Sequence, residues 1–369
     1  MRRVLHIIGS LGLGGAQVVV QQIVKHSDPN QFEHFVYPLR ARNQVVPIDK
    51  NVICNPYRNF DPRKFFDILR ICREKEIDVI HTHLHKDAVA GLCSTFFLDI
   101  PVVVHEHGPI LVPGFQYALF RLVFRLLHRR AAAIIAVSNA VSSRISDILG
   151  HTPSSLATIY NSIDLDRFKP NPENRKRIRN EMRFTDEHIV IGFAGRIEPL
   201  KGVDVLLDAL IPLIQDNPRY RAVFLGDGTM LAMLRKRADQ AGIADAVRFL
   251  GFRPDVADVL NAIDIGCMPS RLEPFGLVAL EMMSMKIPLI CSRVDGLGEI
   301  AEDGVNALVL EQISPGEITS KILALTHNLQ LRQRLVENAY VFTRQFAADS
   351  FIKQIESVYV RVLNSTSGR

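Results

Sequence analysis

Two carboxylates eight residues apart, Glu273 and Glu281, bracket Pro274-Phe275-Gly276-Leu277. The apolar run Ile263–Met268 reads as a strand, Pro269–Arg271 as a loop and Leu277–Met285 as a helix. The first carboxylate therefore sits on a loop entering a helix, and the second one or two turns inside it. Unsatisfied N–H groups at a helix start carry partial positive charge and suit an anion. A carboxylate beside such a site does not bind phosphate; it suits sugar hydroxyls as a hydrogen-bond acceptor. Amides for phosphate and carboxylates for hydroxyls together describe a nucleotide-sugar ligand.

Other residues with chemical potential also lie just past apolar runs. Arg196 and Lys201, five residues apart, share the loop Gly195–Gly202 between the strand Ile189–Phe193 and the helix Val203–Ile214. Arginine offers a bidentate fork to phosphate and lysine a point charge; a solvated surface pair is the plain alternative. His105-Glu106-His107 follows the strand Pro101–Val104, and open α/β sheets bind ligands beyond the carboxyl ends of their strands. The alternative there is a surface loop with solvated histidines. A zinc reading lacks a Cys or a suitably spaced partner. The strand Val4–Ile8, the loop Gly9–Gly15 and the helix Ala16–Lys25 form a layout that brings backbone amides close to a phosphate. A dinucleotide fold would need an acid at the end of the second strand, yet Phe32–Leu39 runs into Arg40.

These loops need a scaffold. The 369 residues are 47% hydrophobic and 22% charged, enough for two domains. Apolar runs alternate with helical segments on both sides of a proline-, asparagine- and charge-rich stretch, Tyr160–Asn180, which reads as a linker. The expected organisation is a domain over 1–168, a second over 169–345, and a terminal helix over 346–369. Its apolar stripe across Asp349–Leu363 suits packing back toward the first domain. The net charge of +5 fits acidic ligands, but no lysine-rich patch or aromatic platform supports nucleic-acid binding. The five cysteines are scattered, as in reduced thiols. The start MRRVLHIIG superficially follows a signal peptide, but its apolar run is broken by glycines and continued by an amphipathic helix. No run of about twenty apolar residues marks a membrane span. In Gly114–Arg130, Arg121, Arg125 and Arg129 line one helical face, with Phe120, Val123, Phe124 and Leu127 largely on the rest. Peripheral binding to an anionic membrane and a packed helix with solvated arginines are both readings of that pattern.

The ordered motifs resemble the family-four glycosyltransferases, retaining enzymes of the GT-B fold. The resemblance is carried by Gly14-Gly15-Ala16-Gln17, His107, Val137-Ser138-Asn139-Ala140, Tyr160-Asn161-Ser162-Ile163-Asp164, Gly195-Arg196 with Lys201-Gly202, Leu225-Gly226-Asp227-Gly228, Gly251-Phe252, and the Glu-x7-Glu of Glu273 and Glu281. It implies α/β architecture with two Rossmann-like domains of parallel sheets facing across a cleft. The first would bind a glycan or lipid-linked acceptor and the second a nucleotide-sugar donor, a UDP-sugar favoured. Neither metal nor cofactor is implied. Gln17 departs from the usual Glu, and Ser162 from a frequent Gly.

By the same resemblance, Arg196 and Lys201 hold the diphosphate, joined by the amide of Gly15. Glu273 contacts the donor sugar, with amides of Phe275, Gly276 and Leu277 beside it. Glu281 contacts the ribose, Gly251 and Phe252 the base, and His107 the reacting sugar and acceptor. His105 is the less favoured histidine. A glycosidase acid–base pair does not fit, because Glu273 and Glu281 share one loop and helix. The implied activity is transfer of a hexosyl or N-acetylhexosaminyl group, with retention, in surface polysaccharide assembly by a cytoplasmic or peripheral membrane enzyme. A GDP-mannose-dependent mannosyltransferase and an epimerase-like sugar-nucleotide enzyme are the alternatives.

Overall fold

The computed structural model describes residues 1–12, 14–40, 48, 51–57, 61–108 and 114–366. It divides into two compact units, Met1–Ser162 with Ala348–Arg369, and Ile163–Ala347.

The first unit runs β1 (Arg2–Ile8), α1 (Gly15–His26), β2 (Phe32–Pro38), α2 (Arg63–Glu74), β3 (Val79–His83), α3 (His85–Ser94), β4 (Val102–Glu106), α4 (Gly114–Leu127), β5 (Ala131–Ala136), α5 (Asn139–Leu149) and β6 (Leu156–Thr158). Its sheet is parallel throughout, in the order β2-β1-β3-β4-β5-β6. The central strands are buried on both faces, which is why they read as unbroken apolar runs. Helix α5 shows how local sequence sets an element's ends. The Ser138 side chain accepts from the Val141 amide at its start, and Gly150, in the left-handed region, closes it.

The second unit runs α6 (Pro172–Glu181), β7 (Ile189–Ala194), α7 (Val203–Asp216), β8 (Tyr220–Leu225), α8 (Leu231–Gln240), β9 (Val247–Gly251), α9 (Val256–Leu260), β10 (Ile265–Met268), α10 (Leu277–Ser284), β11 (Leu289–Ser292), α11 (Leu297–Ile300), β12 (Leu308–Leu310), α12 (Pro315–His327) and α13 (Leu329–Thr343). Its parallel sheet has the order β12-β11-β10-β7-β8-β9. Phe193, Leu206, Leu210, Phe224 and Ile265 lie in its core. The last helix, α14 (Ala348–Thr366), belongs to the first unit. There the Glu356 carboxylate accepts from the Asp28 amide at 2.8 Å, and the Tyr359 hydroxyl lies 2.7 Å from His81 Nδ1.

Several elements differ from the sequence expectation. The stretch read as a linker contains α6, which Asn171 caps through the amides of Glu173 and Asn174, with Pro172 in the first turn. Ile163–Phe168, which lies within the linker stretch and inside the expected boundary at 168, is tied into the second unit. The Ile163 amide donates to Phe346 O at 2.9 Å, and Ser284 Oγ to Phe168 O at 2.9 Å. The sequence reads a strand over Ile77–His81; β3 runs on to His83, with both of its histidines buried.

Arg121 and Arg125 on α4 are committed inside the unit. Each donates from Nε to Ile148 O, at 3.4 and 2.6 Å, so they cap the carbonyl end of α5. Phe124 is buried, and the side chain of Phe120 is outside those described. Leu119, Leu122 and Leu126 on α4 are exposed, at 49%, 56% and 70%, alongside the exposed Arg125. No helix among the described residues is long and apolar enough to cross a membrane.

Candidate active site

In both sheets the chain starts on an interior strand, builds to one edge, then crosses back to the other side of its first strand. Ligands in such sheets bind where the strand order reverses, beyond the carboxyl ends. In the second unit that point lies between β7 and β10. The loop after β7 carries Arg196 and Lys201, and the loop after β10 carries Glu273.

The two loops are laced together. Lys201 Nζ lies 2.6 Å from Glu273 Oε2, with both side chains 13% exposed. The Arg271 amide donates to Leu200 O at 2.8 Å, and the Arg271 guanidinium pairs with both oxygens of Asp204. Close approach of the backbones makes this lacing possible. Gly202 has a φ of +63°, and a Cβ there would lie 2.0 Å from Pro269 O. The neighbouring loops stack the same way, since a Cβ on Gly226 would lie 1.9 Å from Gly195 O. Glycine at these positions lets the strand-end loops form one continuous rim.

Glu273 is also held from its backbone, its amide donating to Asp295 Oδ2 at 3.2 Å. Helix α10 begins at Gly276 with no side-chain cap and no acid in its first turn, so its leading amides remain an anion site. Phe275 is buried, its ring 5.9 Å from that of Phe346. Leu277 is half-buried at the start of α10. Arg196 is exposed on the same rim. Gly251, with a φ of +63°, accepts at its carbonyl from the Gly226 amide at 2.9 Å, and Phe252 beside it is exposed.

Glu281 is buried inside α10, and desolvation pushes its carboxyl up to about 7, with Arg167 opposing. The folded protein therefore keeps this proton at pH values where the unfolded chain, near the ordinary 4.5, has released it. That stabilisation is full below about pH 4.5 and is lost as pH rises through about 7. Glu281→Gln is expected to flatten this dependence. Its stability relative to wild type should rise by roughly 3 kcal/mol between pH 5 and 8 in denaturation curves.

In the first unit, α1 starts at Gly15 with no side-chain cap, and Gln17 is tied back to the preceding loop by Nε2 donating to Ser10 O at 3.0 Å. Leu13 lies outside the described residues. Ser162 donates to Gln22 Oε1. His107 follows β4 and is joined to neighbours that linear spacing did not reveal. Its Nε2 lies 3.0 Å from His83 Nδ1, and its ring centroid is 4.1 Å from that of His105. Burial holds His107 neutral, with its pKa lowered to about 3. His83 Nε2 in turn lies 3.0 Å from His6 Nδ1, and His6 Nε2 lies 2.8 Å from His34 Nδ1. Burial pulls His6, His81, His83 and His105 well below the ordinary histidine range. Glu106 is pushed the other way, first by burial and then by Asp87. The readable signal was the alternation His81-x-His83 and His105-x-His107, which in strands places each pair on one face.

Two doubly wound parallel α/β units, the second carrying an ion-paired rim at its switch point, form the architecture of the GT-B glycosyltransferases. The chain is similar to Anabaena HepE, solved in complex with UDP and glucose, at 25% identity over 97% of this chain and 99% of that one, with a TM-score of 0.83. It shares its fold with the sucrose-phosphate synthase of Thermosynechococcus elongatus, at 17% identity over 99% and 100% of the chains and a TM-score of 0.80.

The family follows from the sequence matches. Residues 13–167 match Glycosyltransferase Family 4, and residues 174–342 match Glycosyl transferases group 1. The D-inositol 3-phosphate glycosyltransferase 2 of Catenulispora acidiphila is 33% identical over 308 residues, 76% of this chain and 72% of that protein. The chain belongs to the family-four glycosyltransferases of the GT-B fold.

Proposed function

We propose that this glycosyltransferase moves a hexosyl or N-acetylhexosaminyl group from a UDP-sugar, with retention, to a lipid-linked or membrane-proximal acceptor in surface glycan assembly. The observation that carries the donor half of this reading is the Lys201–Glu273 pair at the β7/β10 switch point. It puts a cation and a hydroxyl acceptor side by side, next to the uncapped start of α10.

Arg196, Lys201 and the α10 amides take the charge of the diphosphate, with the Gly15 amide as a further donor. Glu273 accepts from the sugar hydroxyls, Glu281 from the ribose, and the base lies along Gly251 and Phe252. His107 stands beside the reacting sugar and the acceptor. In the transfer, the bond from the anomeric carbon to the diphosphate oxygen breaks, and the acceptor oxygen bonds to the same face. The acceptor proton passes to the departing phosphate oxygen. UDP is favoured as the nucleotide because HepE, at 25% identity, was solved with UDP and glucose. A membrane-proximal acceptor is favoured by the exposed Leu119, Leu122 and Leu126 of α4.

The test is a panel of UDP- and GDP-sugars read by thermal stabilisation and slow donor hydrolysis. A ligand held at 100 times its Kd stabilises by about 2.7 kcal/mol. One UDP-sugar should stand out, with an axial-to-axial or equatorial-to-equatorial product by NMR. Stabilisation by GDP-mannose alone overturns the nucleotide, and an inverted product overturns the stereochemistry. Loss of vesicle binding in Leu122→Glu/Leu126→Glu would support the membrane half; equal binding of wild type and variant removes it.

A further inference from the structure

The first unit holds a cluster of histidines whose arrangement the transfer reaction does not require. His6 on β1 pairs in register with His81 on β3, and His83 lies two residues on along the same strand face. This places the three imidazoles around the switch point of the first sheet, between β1 and β3. All three are fully buried. One nitrogen from each lies within 4.8 Å of the other two, and His6 Nδ1 is already 3.0 Å from His83 Nε2. Two ligands 2.0–2.1 Å from a tetrahedral ion would be about 3.3 Å apart. The His6–His83 pair is thus already near coordination spacing, and a His81 nitrogen lies within 4.8 Å of both.

The outer nitrogens decide the matter. His6 Nε2 lies 2.8 Å from His34 Nδ1, His83 Nδ1 lies 3.0 Å from His107 Nε2, and His81 Nδ1 lies 2.7 Å from the Tyr359 hydroxyl. Each inward nitrogen therefore belongs to a ring whose other nitrogen is engaged. That is the supporting shell that fixes tautomer and orientation in histidine metal sites. His81 Nε2 is buried and makes no hydrogen bond, which leaves it available as a ligand. A second trio, His83, His105 and His107, also clusters, but neither ring nitrogen of His105 has a hydrogen-bond partner to orient it.

We propose that His6 Nδ1, His81 Nε2 and His83 Nε2 bind a borderline divalent cation of the zinc type, joining β1 to β3 and fixing His107 through His83. Neutral imidazole is the ligand such ions prefer. The zinc reading weighed on the sequence concerned His105-x-His107; the trio proposed here is a different one, assembled by the parallel register of β1 and β3. The proposal uses none of the donor groups on the second unit, so it can fail while the donor assignment stands, and the reverse.

The test uses the full chain, purified without a polyhistidine tag, stripped with chelator and titrated with Co²⁺ and Zn²⁺. About one equivalent should bind, the Co²⁺ form showing the intense visible bands of a tetrahedral site. His6→Gln and His81→Gln should lose the ion, whereas His105→Gln should keep it. Tyr359→Phe, which removes one supporting hydroxyl, should weaken binding about 10–100-fold. No stoichiometric binding by wild type overturns the proposal and leaves an ordinary hydrogen-bonded histidine chain. Retention by His6→Gln or loss in His105→Gln also overturns it. If the glutamine variants do not fold, X-ray absorption on the zinc-loaded wild type decides. Three imidazole ligands sustain the site, and fewer overturn it.

Discussion

Lys201→Ala is expected to lower turnover by about 10²–10³-fold, the size of effect seen when one fixed stabiliser of transition-state charge is removed. The same change strips Glu273 of the ammonium 2.6 Å away, leaving a carboxylate that is only 13% exposed without its ion partner. Breaking a fully buried pair costs about 3–5 kcal/mol. Residual exposure here brings the expected loss down to about 1–3 kcal/mol, or about 2–4 °C in melting temperature per kcal/mol for a unit of this size.

The two losses separate in the double variant Lys201→Met/Glu273→Gln. Removing both charges should recover most of the stability while turnover stays lost, because neither the diphosphate nor the sugar regains its partner. Melting curves and initial rates on the same preparations check this. If the double variant transfers sugar at near wild-type rate, Lys201 and Glu273 are only a packing pair and the donor site lies elsewhere.

The largest stability effect is expected at Asp264, outside the rim. Its carboxylate receives Arg175 Nη2 at 2.7 Å, Arg179 Nη2 at 2.5 Å and the Val190 amide at 2.8 Å. Arg179 is 1% exposed and also donates to the carbonyls of Ala262, Thr185 and His188. Asp264→Ala leaves this guanidinium buried without an anion, an expected loss of about 3–5 kcal/mol. Asp264 binds α6 to the start of β7, so the second unit should unfold first in denaturant, with donor stabilisation lost at the same midpoint. An unchanged midpoint would show that the carbonyls alone suffice for Arg179.

The second unit was largely legible because its strands are short apolar runs and each ends in a glycine-marked loop. Tyr220–Leu225 and the rim residues Arg196, Lys201 and Glu273 sit where the pattern put them. Helix α6 was hidden because charged residues fill its exposed face and the signal reduces to Asn171 and Pro172. Strand β6 is three residues long and only partly buried, too short for periodicity. The histidine cluster left only its two His-x-His alternations to be read, for a different reason. Its members are polar by type, far apart in sequence, and brought together only by parallel register between β1, β3 and β4. The arginines of α4 left two readings open because spacing shows which face a charge occupies, but not that the neighbouring α5 ends beneath it.

Helix α14 has a consequence for how the chain is made. It completes a layer whose other parts were all synthesised before Ser162, so the nascent first unit must wait through the whole of Ile163–Ala347 for its last piece. The intervening unit needs nothing downstream and can settle on the ribosome while the earlier sheet still exposes the face that receives Tyr359. Arrest late in translation, after Ala347 but before α14 is complete, would therefore leave a chaperone client in the first unit together with a finished second one.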